Sequence, residues 1–146
     1  MSNKQALLLV AHGSRRQRSN DEVRELAATV AQQAGERFMH VDCAFLELAE
    51  PSIEAGIDQC VAAGAEAVVV MPYFLSAGRH VAEDVPAIVR KKQTEYPQVS
   101  LRLSAYLGAA PSISQLILDT VDSGDCLCGQ QEAACRYPAC VVKQLG

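Results

Sequence analysis

The apolar positions of the chain switch repeatedly between two periodicities. Ala6 to Ala11 is an unbroken apolar run, as in a strand covered on both faces. Val23, Leu26, Ala27, Val30, Ala31 and Ala34 then recur at helical spacing. They follow Ser19-x-x-Glu22, which has the form of a capping box, and precede Gly35 as a stop. Val41 to Leu48 reads as a second strand. Pro51 suits a first helical turn; Ile53, Ile57, Cys60 and Val61 mark one face of that helix, and Gly64 closes it. Ala67 to Met71 is the third strand and the most β-branched run. Ser76 to His80 is a loop, and a helix is expected from Asp84, with Pro86 in its first turn, to about Tyr96. Val99 to Ala105 alternates as a fourth strand, and Ile113, Leu116, Ile117 and Val121 carry a last helix over 111–121. The apolar pattern fails after Ser123. Residues 1–122 are therefore expected to form one domain and 123–146 a cysteine-rich tail.

Strands alternating with helices predict an α/β fold, a three-layer sandwich around a four-stranded parallel sheet. Right-handed crossovers most simply give the flavodoxin-like strand order 2-1-3-4. In that order strands 1 and 3 are neighbours whose following helices leave on opposite faces. A crevice opens between them at the carboxyl ends of the strands, where ligands bind in such sheets.

The polar residues gain meaning on this map. His12 directly follows strand 1 in Val10-Ala-His-Gly-Ser14, and His80 ends the segment that leaves strand 3. Glu47 ends strand 2, beside strand 1. Two imidazoles and a carboxylate at one sheet edge suit a divalent transition metal and, because imidazole titrates near neutral pH, proton removal. Neutral imidazole is needed for either task, so activity is expected to fall on acidification. His40 starts strand 2 at the opposite edge and reads as surface.

Composition narrows the classes. The 146 residues carry a net charge of −4, with 49% hydrophobic and 21% charged residues. Such a chain is an ordinary globular one, and its acidity argues against nucleic acid or an anionic membrane as partner. No apolar run approaches the ~20 residues of a membrane span. Leu7-Leu-Leu-Val-Ala11 is too short and too early for a signal peptide, so a cytoplasmic location is expected, or a plastid if a transit segment has been removed. No Gly-x4-Gly-Lys-Ser/Thr phosphate loop is present, and no nucleotide is expected.

Three motifs, in order and spacing, resemble a known family: His12-Gly13-Ser14, Phe45-Leu-Glu47, and Pro72-x-Phe-Leu-x-x-Gly-x-His80-x-x-x-Asp84-x-Pro86. Over about residues 5–121 the chain is similar to the small sirohydrochlorin chelatases of the class II chelatase superfamily. The resemblance implies ATP-independent insertion of a divalent metal, Fe²⁺ or Co²⁺ and sometimes Ni²⁺, into sirohydrochlorin on the route to sirohaem or cobalamin. It implies that His12 and His80 are metal ligands and bases, that Glu47 holds metal or relays protons, and that the chain pairs as a homodimer. Sirohydrochlorin is a polycarboxylate, so cationic and amide donors are expected around the site. The candidates are Ser14, Arg15, Arg16 and Arg18 near the start of the first helix, with Arg79 beside His80. Gly13 and Gly78 would permit close backbone approach. Tyr73, Phe74 and Leu75 suit either a macrocycle wall or the core.

The tail poses a separate question. Cys126-x-Cys128-x6-Cys135-x4-Cys140 supplies four thiols, enough for an iron–sulfur cluster or a zinc site. The spacing fits neither a usual zinc ribbon nor a plain ferredoxin. Some plant-type sirohydrochlorin ferrochelatases are similar in carrying a terminal cluster, which favours iron–sulfur. Two rival functions stand beside the chelatase. One is a metal chaperone or sensor using the histidine pair and the tail. The other is a hydrolase with Ser14 as nucleophile, which lacks the Gly-x-Ser-x-Gly elbow.

Overall fold

The computed structural model describes residues 3–123; Cys126, Cys128, Cys135 and Cys140 lie outside them. Two units result, one ending at Ala110 and one beginning at Pro111.

In the first unit, β1 (Gln5–Ala11), β2 (His40–Phe45), β3 (Ala67–Pro72) and β4 (Ser100–Leu103) form one parallel sheet in the order β2-β1-β3-β4. Leu8 lies level with Asp42 on one side and Val70 on the other. The expected α/β class and strand order 2-1-3-4 are therefore met. The helices are α1 (Gln17–Ala34), α2 (Ile53–Ala62) and α3 (Val85–Glu95).

Side chains alternate across the sheet with the strand period of two. Ala6, Leu8 and Val10 of β1, with Val68 and Val70 of β3, pack with Ile53, Ile57 and Cys60 of α2 and Val85 and Val89 of α3. Leu9 and Ala11, with Cys43 and Phe45 of β2, pack on the other face with Ala27, Val23 and Val30 of α1. Strands covered on both faces explain the unbroken apolar run of β1.

Two local expectations need correction, and one local feature was not anticipated. Ser19 does not cap α1: the helix starts at Gln17, and the Ser19 N–H donates to the Arg16 carbonyl at 3.0 Å. The reason lies in Asn20, which is 2% exposed and pins the preceding chain, as described below. Pro51 does not enter α2. It lies alongside the end of β2, where its carbonyl accepts from the Phe45 N–H at 2.8 Å, and Ser52 caps the helix through the Ala55 N–H. The third helix begins at Val85 with Asp84 at its cap position and Pro86 in its first turn, as expected; not anticipated is the wide turn that runs directly into it, the π-turn His80–Asp84.

One charged cluster ties two helices together on the α2–α3 face. Lys92, its side chain only 8% exposed, donates to Asp58 of α2 at 2.9 Å and to Glu95 at 2.8 Å. The Tyr96 hydroxyl donates to the same Asp58 oxygen at 2.6 Å. The Tyr96 hydroxyl, with Lys92 adding to it, lowers the Asp58 carboxyl below its ordinary range; Glu95 and Asp58 together raise the Lys92 ammonium.

The second unit contains α4 (Ile113–Ser123), on which Leu116, Ile117, Leu118 and Val121 are more than half exposed. Among the described residues no helix is long and apolar enough to cross a membrane.

Candidate active site

The carboxyl edge of the sheet carries the chemistry. Parallel pairing continues past the ends of β1 and β2: Leu46 N–H donates to the Ala11 carbonyl at 2.9 Å and Glu47 N–H to the His12 carbonyl at 3.0 Å. This backbone ladder sets Glu47 beside His12, and their side chains meet, with His12 Nε2 to Glu47 Oε1 at 2.9 Å. Gly13, at φ +94°, makes the close approach possible. A Cβ there would lie 1.7 Å from the Glu47 carbonyl oxygen, so no other residue fits. Leu48, immediately after Glu47, holds φ at +65°, a conformation unfavourable for a branched side chain.

Asn20 holds the other side of this turn. Its Oδ1 accepts from the Ser14 N–H at 2.9 Å, and its Nδ2 donates to the Ser14 carbonyl at 2.8 Å. One buried side chain thus replaces a strand partner for Ser14. The Ser14 hydroxyl in turn accepts from the Arg16 N–H. Arg24 of α1 braces the loop beyond Glu47: it donates to the Glu50 carbonyl at 2.8 Å, pairs with Asp21 and lies over the Phe45 ring.

His80 arrives from β3 at the start of the π-turn. Its Nδ1 meets Asp84 Oδ2 at 2.7 Å. The His12 and His80 rings stand edge to face with centroids 4.8 Å apart. All four side chains are about half exposed: His12, His80 and Asp84 at 44% and Glu47 at 54%. Two imidazoles from different strands thus meet at the edge, each with its own carboxylate. Among the described residues no three His, Cys, Asp or Glu side chains converge tightly enough to encircle one ion.

The remaining candidates divide. Arg15, Arg16 and Arg18 are exposed around the first residue of α1. Arg79 is engaged with Glu83 at 3.3 Å. Gly78 is exposed, and a Cβ there would meet no atom of the chain within 4 Å, so a close backbone contact within the fold is made by Gly13 and not by Gly78. Phe74 packs against the core, whereas Tyr73 and Leu75 are exposed, Leu75 at 74%. Gly108 seats this segment: its N–H donates to the Phe74 carbonyl, and a Cβ would lie 1.8 Å from the Leu75 carbonyl oxygen. His40 faces Asp42 away from this edge at 3.7 Å.

Sequence reasoning missed two polar residues. Asn20 hides in the first turn of an amphipathic helix, where a lone Asn gives no signal beyond its poor helix propensity. Asp84 stood in the quoted motif without a role; its spacing of four from His80 was the available signal.

A profile of the CbiX family matches residues 6–123. This chain belongs to the CbiX family. Over 116 residues, 80% of this chain and 49% of the relative, it is 37% identical to the chloroplastic sirohydrochlorin ferrochelatase of Arabidopsis thaliana. It is 38% identical to the sirohydrochlorin cobaltochelatase of Methanococcus maripaludis over 58% of each chain. Among solved structures, a putative cobalamin biosynthesis CbiX protein from Marinobacter aquaeolei VT8 superposes with a TM-score of 0.69 at 32% identity, covering 81% of this chain and 94% of that one. The sirohydrochlorin chelatase SirB of Bacillus subtilis subspecies spizizenii, in complex with cobalt, gives 0.70 at 26% identity over 81% and 50%. The chain spans about half the length of two of these relatives, the Arabidopsis enzyme and SirB.

Proposed function

We propose that this CbiX-family chain inserts a divalent metal ion, Fe²⁺ or Co²⁺ with Ni²⁺ as a further candidate, into sirohydrochlorin without a nucleotide. The observation that carries the reading is the pairing of two imidazoles, 4.8 Å apart, with a carboxylate against each. Insertion exchanges two pyrrole protons for one M²⁺ and strips water from the ion, so the site must offer both metal donors and proton acceptors. Donors at right angles on one octahedral ion at about 2.1 Å lie about 3 Å apart. The 2.9 Å between His12 Nε2 and Glu47 Oε1 suits that arrangement, the ion replacing the proton the two share. His80 then serves as a further donor or as the base for a pyrrole proton. A set of few donors suits an ion that has to leave. SirB, a relative by fold and sequence, is described in complex with cobalt, and the named relatives include both ferro- and cobaltochelatases.

The exposed Arg15, Arg16 and Arg18, with Ser14, Arg79 and backbone at Gly13 and Gly78, would meet the substrate's carboxylates. Residues 1–122 are taken as the chelatase part, which the 6–123 profile match supports. A homodimer belongs to the same reading, and a dimer mass by light scattering of the full-length protein tests it. Cys126, Cys128, Cys135 and Cys140 are read as iron–sulfur ligands because four thiols suffice for a cluster and because some plant-type ferrochelatases, which the chain resembles, carry one. An iron- and sulfide-free protein after anaerobic purification would remove that part. Residence in the cytoplasm, or in a plastid as for the Arabidopsis relative, is tested by locating a tagged full-length protein.

The deciding experiment follows the visible spectrum of sirohydrochlorin on addition of Fe²⁺ or Co²⁺, with wild type, His12→Ala and His80→Ala. Acceleration by wild type alone supports the chelatase. Metal binding without any acceleration moves the protein to the chaperone or sensor class. The hydrolase alternative requires a base at Ser14; the imidazoles instead meet Glu47 and Asp84, and the Ser14 hydroxyl accepts from backbone.

A further inference from the structure

We propose that Asp84 is a positioning residue: it fixes His80 in the tautomer protonated at Nδ1, so that the Nε2 lone pair is the one available to the metal ion or to a proton. Three observations lead there. The first is the contact itself, Nδ1 to Oδ2 at 2.7 Å. An ionised carboxylate only accepts, so Nδ1 is the donor, and the lone pair of a neutral ring then resides on Nε2. The opposite tautomer would set the Nδ1 lone pair against a carboxylate oxygen at the same distance.

The second observation is that Asp84 performs no other task at its position. It stands immediately before α3, where aspartate ordinarily caps the helix, yet its backbone is helical (φ −72°, ψ −48°) and its side chain makes no capping hydrogen bond. The carboxylate is turned to His80 instead. The third is the turn. Val85 N–H reaches back five residues to the His80 carbonyl, giving one wide π-turn at the head of an α-helix. Residues four apart on such a helical turn share one face, which sets the Asp84 carboxylate beside the His80 ring.

The two carboxylates of the edge therefore differ in kind. Glu47 meets His12 on Nε2 and shares the nitrogen that would take the ion, whereas Asp84 meets His80 on Nδ1, behind the working nitrogen. Histidine ligands commonly donate their second N–H to a carboxylate, which fixes the ring and raises its basicity, and loss of that partner costs about 10–100-fold in metal affinity or activity.

The inference rests on the chelatase reading only for the use to which Nε2 is put. It is tested at pH 8 on the full-length chain by long-range ¹H–¹⁵N correlation of the His80 ring, followed by Co²⁺ titration and insertion kinetics. Wild type should show His80 protonated at Nδ1. Asp84→Ala should mix the tautomers, weaken Co²⁺ binding about 10–100-fold and raise KM for the metal. Asp84→Asn, which keeps an acceptor of the same shape, should recover part of each effect and covers the case in which Asp84→Ala fails to fold. A wild-type His80 protonated at Nε2, or tautomer and Co²⁺ affinity unchanged in Asp84→Ala, overturns the proposal. If tautomer and Co²⁺ affinity respond as expected while wild type inserts no metal, Asp84 keeps its role and the chelatase reading falls.

Discussion

Lys92 and His12 are both basic side chains beside carboxylates, yet they do opposite work. Lys92 is 8% exposed, and Asp58, Glu95 and Tyr96 close around it, joining α2 to α3. His12, with Glu47, His80 and Asp84, stands at the carboxyl edge of the sheet with about half of each side chain in solvent. In the first cluster the ammonium is directed at its own partners, and the product is a fixed helix pair. In the second, each imidazole spends one nitrogen on a carboxylate, stands against the other ring and keeps nearly half of its surface toward solvent. Burial rather than residue type separates a strut from a site.

Removing an exposed imidazole should break the comparison most sharply. His12→Ala is expected to slow metal insertion about 10²–10⁴-fold while the urea midpoint hardly moves, since little packing is lost. A matching loss of stability would make His12 structural. Gly13→Ala tests the backbone beneath the site. With φ at +94° and the Glu47 carbonyl in the way, it should cost about 2–4 kcal/mol by denaturant unfolding and lower Co²⁺ affinity as Glu47 is displaced. Lys92→Met is the reverse of His12→Ala. Because Asp58 and Glu95 keep access to water, the expected cost is about 1–2 kcal/mol, with insertion kinetics unchanged.

Acid and base sharpen the same contrast. Asp58 is lowered on folding, so its contribution is present above the unfolded carboxyl range of about 4 and is lost as pH falls through it. Lys92 is raised, so its contribution is present below about 10.4 and is lost as pH rises past it. The strut should therefore contribute a constant stability from about pH 5 to 9, seen as a flat urea midpoint in wild type relative to Lys92→Met. The smallest effect concerns thiols. Burial pushes Cys60 up to about 11 and raises Cys43 as well. Native protein at pH 8 should leave both unlabelled by a thiol reagent until denaturant is added.

Most of the fold was legible because its signal is a period. Ala6–Ala11 and Ala67–Met71 are short apolar runs that suit covered strands, and right-handed crossovers most simply set which strands are neighbours. That order alone brings His12 and His80 to one edge. What was not legible depends on side chains reaching backwards. Ser19-x-x-Glu22 has the letters of a capping box, but Asn20 holds Ser14 and starts the helix earlier. Pro51 has the right residue type for a helix start, but pairing beside Phe45 keeps it outside. The π-turn carries no composition signature, and Asp84, unlike Glu47, had no role in the sequence reading although it stands four residues after His80.

The contact between Gly13 and the Glu47 carbonyl also bears on how the protein can change. The β1–β2 side of the site is welded through main chain, so almost any substitution or insertion there disturbs both His12 and Glu47 at once. The segment after β3 is welded in the same way only as far as Leu75, whose carbonyl lies against Gly108; beyond it Gly78 and Arg79 are exposed and Gly78 has free space around it. Substitutions at residues 76–79 should therefore leave the His12–Glu47 pair in place, and a library confined to those four positions is the economical place to begin re-engineering.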